Sequence, residues 1–167
     1  MNFELRKLSI SDDMDIYEML QEMPENENGF VNPIKGKTFD EYKQWLISTD
    51  SLSKANELVE GWKVPMNVYW LYVDGYPVGF GKLRHFLTDK LREAGGHVGY
   101  SIRPSQRNKG YGTILLRMII EEAKKMNIDK LLLTIRNENT GSIKVALNNN
   151  GKVERISEDK HYIWIDC

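Results

Sequence analysis

The chain has 167 residues, 41% hydrophobic and 28% charged, with a formal net charge of -1 and a pI of about 6.3. That length suits one domain around one core, and the near-neutral charge lacks the basic footprint of a DNA- or RNA-binding domain. The single cysteine, Cys167, rules out a disulfide framework within the chain and fits a reducing compartment.

Met1 to Asp15 has no apolar leader core, and no run approaches the roughly 20 apolar residues that span a bilayer. The expectation is a soluble cytoplasmic protein with one domain over residues 1–167. Phe3 to Leu8 alternates apolar and polar side chains, which predicts a first strand. Ser11 is placed to cap a helix with Ile16, Met19, Leu20 and Met23 at helical spacing, and Pro24 stops it. Pro24 to Lys37 has little periodicity and reads as a loop. The acidic run Glu22 to Glu27 reads as a solvated surface, or alternatively as a field that attracts a cationic amine. Thr38 and Glu41 have capping-box spacing ahead of a helix with Tyr42, Trp45 and Leu46 on its apolar face. Ser51 to Glu60 predicts a further short helix.

Asn67 to Val73 and Pro77 to Arg84 are extended runs joined by Asp74-Gly75, a hairpin signal. After a Gly- and charge-rich connection, His97 to Ile102 predicts a fourth strand, ended by Arg103-Pro104. Thr113 to Met126 predicts the strongest helix, with Leu115, Met118 and Ile119 as core. Trp45, Trp62 and Trp70 are also read as core. Leu131 to Ile135 is a short buried strand, and Thr140 to Asn149 a helix stopped by Asn150-Gly151. Ile156 and His161 to Ile165 suggest a last hairpin. The order β-α-α-β-β-β-α-β-α-β-β predicts an α/β fold whose sheet is partly antiparallel and partly parallel and is flanked by helices.

Gly99 to Thr113 carries the chemistry. A strand enters a loop with Gly110 and Gly112, and the loop opens directly into a helix. A helix N-terminus offers free backbone N–H groups and a partial positive charge. Glycines let a phosphate approach the backbone, and Arg107 and Lys109 supply cations beside it. This is a pyrophosphate cradle. The Gly-x-x-x-x-Gly-Lys-Ser/Thr and Gly-x-Gly-x-x-Gly orders of other phosphate loops are both missing.

Arg107-Asn-Lys-Gly110-Tyr-Gly112 resembles the Arg/Gln-x-x-Gly-x-Gly/Ala signature of the GNAT superfamily of N-acetyltransferases. Ile102-Arg-Pro104 resembles that family's hydrophobic-x-Pro strand end, and Asn139-x-x-Ser142 its second cofactor-contacting segment. The similarity spans roughly Trp70 to Asn150. Arg84-His85, Gly95-Gly96-His97 and Asn150-Gly151 are also similar to a subgroup of predicted bacterial acetyltransferases.

The resemblance implies acetyl-CoA as the acyl donor, a primary amine of a small molecule or protein as the acceptor, direct attack and no metal. It implies that backbone groups of Arg107, Asn108, Lys109, Gly110, Tyr111 and Gly112 hold the pyrophosphate, with the Thr113 hydroxyl adding to them. The pantetheine arm is expected between the strand ending at Ile102 and that over Leu131 to Ile135. A backbone N–H among Tyr100, Ser101 and Ile102 would polarise the acyl carbonyl. Asn139 would contact the pantetheine or its loop, and Ser142 either the cofactor or only its own helix.

The acid and base are less defined. The family's helical Tyr is absent, with Ala146 and Leu147 in its neighbourhood. Tyr111, Tyr162 or water could protonate the thiolate. His97 has the intrinsic pKa suited to accept the amine proton, and Glu93 is the alternative. The resemblance leaves open a longer acyl-CoA donor, a CoA-binding sensor without turnover, and a homodimer. No nucleic acid or membrane partner is expected.

Overall fold

In the computed structural model, which describes residues 1–55, 61 and 63–167, the N-terminal half builds a four-stranded antiparallel sheet. Strands β1 (Phe3–Lys7), β4 (Met66–Val73), β5 (Tyr76–Arg84) and β6 (Val98–Ile102) lie side by side in the order β1-β4-β5-β6. Every residue of β4 after Met66 is buried, because helices cover both faces of the sheet. On one face, α1 (Met14–Glu22) and α2 (Phe39–Ser53) pack Ile16, Met19, Leu20, Tyr42 and Leu46 against Trp70 and Phe80. On the other, α4 (Tyr111–Lys125) sets Leu115, Leu116 and Ile119 against Leu71 and Leu83.

The C-terminal half supplies β7 (Lys130–Arg136), α5 (Thr140–Asn148), β8 (Lys152–Ile156) and β9 (Lys160–Asp166). These strands form a second antiparallel sheet in the order β7-β9-β8. Leu131, Leu133, Ile163 and Ile165 join it to the core under α4. The α/β order and the flanking helices expected from sequence are present, but every ladder among the described residues is antiparallel, and the parallel part expected around α4 is reduced to a contact between the starts of β6 and β7. The strands on either side of α4, β6 and β7, form no ladder with each other, and this separation makes the site.

Local differences have local causes. Asp13, rather than Ser11, caps α1, because Asp12 N–H and Ser9 C=O close a turn that delays the helix. The capping box of Thr38 and Glu41 is formed as expected. Residues 24–37 contain a small hairpin, β2 (Asn26–Glu27) and β3 (Phe30–Val31). Asn28 and Gly29 turn it, with φ of 52° and 86°, conformations that Asn and Gly tolerate best. The Gly- and charge-rich connection holds a short helix, α3 (Asp89–Glu93), capped by Thr88. Trp70 is fully buried, and Trp45 packs beside it. Of the further helix expected over Ser51 to Glu60, Ser51 to Ser53 are the end of α2 and residues 56–60 lie outside the described residues, as does Trp62. Among the described residues no helix is long and apolar enough to cross a membrane.

Candidate active site

The site begins where β6 and β7 part. The backbone N–H of His97 donates to Leu132 C=O at 2.8 Å, and Leu132 N–H donates back to His97 Nδ1 at 2.9 Å. Gly96 lies so close that an added Cβ would stand 2.3 Å from the Leu132 carbonyl oxygen, so only glycine fits. Beyond this clamp the strands separate. Val98 to Ile102 and Leu133 to Arg136 line a cleft of about 1300 Å³, which continues to the start of α4 and α5. Among the described residues no strand pairs with the edge of β6 that faces β7, so apart from the Ile102 carbonyl, which accepts from Arg107, that edge is open to a ligand.

At the far end is the cradle. Gly110 is the N-cap of α4 with φ of 81°, and Asn108 is also left-handed at 63°. Gly110 brings no capping side chain, so the N–H groups of the first turn are left for an anion. A left-handed residue two positions before the cap adds to this concavity. Arg107, Asn108, Gly110, Tyr111, Gly112 and Thr113 all line the cleft; Lys109 does not, and its Nζ instead donates to Gln106 Oε1 at 3.0 Å. Tyr100, Ser101, Ile102, Asn139 and Ser142 are on the same wall. Asn139 caps α5 by accepting from Ser142 N–H at 3.3 Å.

Arg107 is tied into the fold. Its Nε donates to Ile102 C=O at 2.9 Å, and its guanidinium forks onto Glu27 at 2.7 and 3.1 Å. Arg103 Nε likewise donates to Glu22 at 3.0 Å, and Glu22 also accepts from Ser105 N–H at 2.8 Å. Two members of the acidic run therefore hold α1 and the β2–β3 hairpin against the cradle loop. Their charge is matched by guanidinium groups, which weakens the reading of a field for cations.

The acid–base candidates are placed unequally. His97 is 7% exposed and is absent from the cleft wall. Because a backbone N–H can only donate, Nδ1 must accept, which puts the ring proton on Nε2. Burial pushes its pKa down to about 4, helped by the charges of Arg92 and Arg84. This is a strand-holding group, and the placement weighs against the proton-acceptor role expected from sequence. The Glu93 side chain is 74% exposed, 3.8 Å from Arg155, and is also off the cleft wall. Tyr111 turns its hydroxyl toward Met1 Sδ at 3.6 Å and packs its ring edge-on against Phe3. Tyr162 donates to Glu93 C=O at 2.8 Å. Tyr100 differs: it lines the cleft and its hydroxyl meets Ser142 Oγ at 2.7 Å, with burial pushing its pKa up to about 12.

Sequence reasoning missed Glu27, Phe30, Lys82 and Arg84, all on the cleft wall. For the last two a signal was available. Phe80, Lys82 and Arg84 share one face of β5 by alternation, so two cations follow a buried aromatic residue on that face. Among the described residues, no group of three or more His, Cys, Asp or Glu side chains is placed to hold a metal ion.

Splayed strands leading to a helix-start anion cradle suit a ligand with a pyrophosphate at one end and an extended arm at the other. The family model of the acetyltransferase (GNAT) family matches residues 17–151. The chain belongs to the acetyltransferase (GNAT) family, and it is an acetyltransferase enzyme. No curated protein sequence matches it significantly. Solved structures share its fold over nearly its whole length. One is a Campylobacter jejuni N-acetyltransferase, PseH, in complex with acetyl coenzyme A, at 13% identity and a TM-score of 0.65, covering 99% of both chains. The ribosomal-protein-S5-alanine acetyltransferase of Vibrio fischeri gives 18% identity and a TM-score of 0.69, covering 98% of this chain and 92% of the other. An N-acetyltransferase from Staphylococcus aureus Mu50 gives 21% identity and a TM-score of 0.65, covering 99% of both.

Proposed function

We propose that this enzyme transfers an acetyl group from acetyl-CoA to a primary amine by direct attack, in the cytoplasm. The observation that carries the reading is the cleft opened at the His97–Leu132 clamp and closed at the Gly110 helix start. A cofactor with a pyrophosphate at one end and a thioester on a flexible arm fits both ends. A related fold was crystallised with acetyl coenzyme A, which supports the same donor here.

The pyrophosphate sits on the N–H groups at the start of α4, and the arm runs along the open edge of β6. A backbone N–H of Tyr100 to Ile102 polarises the thioester carbonyl. The neutral amine attacks the carbonyl carbon, the new C–N bond forms, and the C–S bond breaks. Tyr100 gives its proton to the departing thiolate and is reprotonated through Ser142 or water. Its hydroxyl has the placement that Tyr111 and Tyr162 lack. The proton of the attacking amine leaves to solvent, since neither His97 nor Glu93 reaches the cleft wall.

A thiol-release assay with acetyl-CoA and a panel of primary amines tests this. Amine-dependent release of CoA, with acetylated amine found by mass spectrometry, is expected. Tight acetyl-CoA binding with no transfer to any amine would instead mean a CoA-binding sensor.

A further inference from the structure

We propose that Lys82 and Arg84 form an anion-binding subsite for the acceptor, so that the acetylated amine also carries a carboxylate or phosphate group. This rests on the acetyltransferase reading above and narrows its substrate class.

Position along the sheet comes first. Lys82 is opposite Gly99 of β6, and Arg84 N–H donates to His97 C=O at 2.7 Å. Ile102 lies next to the cradle, since its carbonyl accepts from Arg107. At about 3.3 Å per residue, Lys82 is roughly 10 Å and Arg84 roughly 16 Å from the Ile102 end. The pair is thus at the thioester end of the cleft, away from the pyrophosphate.

The face of the sheet comes second. Gly79 and Gly81 of β5 point at α4, where an added Cβ would meet Leu115 and Ile119. Lys82 alternates to the opposite face, with Phe80, under the β2–β3 hairpin. Lys82 Nζ is 4.6 Å from the ring centroid of Phe30 and 5.2 Å from that of Phe80. Tyr100, facing the other way, packs with the α4 cluster. The two cations therefore reach the strand separation from the hairpin side of the sheet, opposite the side on which Tyr100 and α4 lie.

Charge comes third. Lys82 donates to Val31 C=O at 2.6 Å, and Arg84 Nη1 to Gly95 and Gly96 C=O, both at 3.2 Å. Neither has a carboxylate within salt-bridge distance among the described residues. The carboxylates on the same wall are Glu27, Glu138 and Asp159; Glu27 is paired with Arg107, and Asp159 with Lys160. An ammonium has three donors and a guanidinium five, so most of theirs remain for a ligand. Two half-buried cations held on one face without a counter-ion repel each other until an anion arrives. Burial, with the Arg84 charge, holds the Lys82 pKa down to about 8. The same positive field favours the neutral form of a nearby acceptor amine, which is the form that attacks.

The test uses matched acceptors: each α-amino acid, its carboxamide, its decarboxylated amine and its aminophosphonic acid. Thiol release gives kcat/KM, and calorimetry gives acetyl-CoA affinity. The proposal expects anionic members to exceed their neutral partners by about 10- to 100-fold, the worth of a charge-assisted contact. Carboxylate against phosphonate preference tells which anion the subsite takes. Lys82→Gln and Arg84→Gln should abolish the preference while acetyl-CoA affinity stays unchanged. Arg84→Gln disturbs the contacts to Gly95 and Gly96, so Lys82→Gln is decisive if the former misfolds. Binding of the corresponding N-acetylated products to the CoA-loaded protein gives a readout without turnover, and should weaken equally in Lys82→Gln. Transfer that ignores the anion, a preference that survives in Lys82→Gln, or failure of every anionic probe to bind the CoA-loaded protein overturns the subsite. Failure to bind acetyl-CoA at all would instead overturn the underlying function.

Discussion

Replacing Gly110 separates the geometry of the cradle from its charge. Its φ of 81° is costly for any residue with a Cβ, while an added Cβ meets nothing within 4 Å. Gly110→Ala should therefore lose about 1–2 kcal/mol of stability through backbone strain, with acetyl-CoA affinity within a few-fold of wild type. Gly110→Asp carries the same strain and adds a negative charge beside the bound pyrophosphate. At about 5 Å and an effective dielectric of about 20, one unit of like charge costs roughly 3 kcal/mol, less with salt. Acetyl-CoA affinity should fall by about 30- to 100-fold in Gly110→Asp relative to Gly110→Ala. Calorimetry on both variants, with urea melts to show that both are folded, measures the difference. Equal affinity in the two folded variants would mean that the pyrophosphate binds elsewhere.

Further expectations concern the walls of the cleft. Arg107→Ala should weaken acetyl-CoA binding by roughly 1–2 kcal/mol, less than Gly110→Asp, because backbone N–H groups carry much of the cradle; a loss confined to turnover would contradict this. Tyr100→Phe should lower kcat by about 10²-fold or more with acetyl-CoA affinity little changed, as for loss of a general acid; an unchanged kcat would return the proton to water. His97 bears on stability through pH. Its folded pKa, about 4, lies below the ordinary 6.5, so between these values the unfolded chain binds more protons. Its contribution is present above pH 6.5 and is lost as pH falls toward 4, at most about 3 kcal/mol. His97→Gln should flatten that part of the stability–pH curve while leaving a pH–rate limb that follows the acceptor's own pKa; a limb that disappears in His97→Gln would restore His97 as the base.

Much of this was legible in the sequence for a simple reason. The cradle is a local device, and a strand, a Gly-containing loop and an amphipathic helix follow one another between Gly99 and Met126. The capping box at Thr38 and the turn at Asp74-Gly75 are local in the same way. The catalytic roles were not legible, because they depend on where a side chain ends in space. His97 has the pKa of a base in isolation, but only the fold reveals that Leu132 N–H occupies its Nδ1. Glu27 lies in a stretch without periodicity, and its pairing with Arg107 crosses 80 residues of chain. The Asn28-Gly29 turn was a readable hairpin signal there, but the flanking strands are two residues each, too short to show alternation. The point at which β6 and β7 part is set by Gly96 and His97 meeting Leu132 across the crossover, which no single segment encodes.

Backbone amide NMR during an acetyl-CoA titration tests the central claim most directly. The account predicts saturable shifts concentrated at Asn108 to Thr113, along Gly99 to Ile102 and at the start of α5 around Asn139 to Ser142. Leu132, already bonded to His97, should move little. Saturable shifts centred elsewhere, with Gly110 and the open edge of β6 unmoved, would contradict the placement of the acyl donor and the mechanism built upon it.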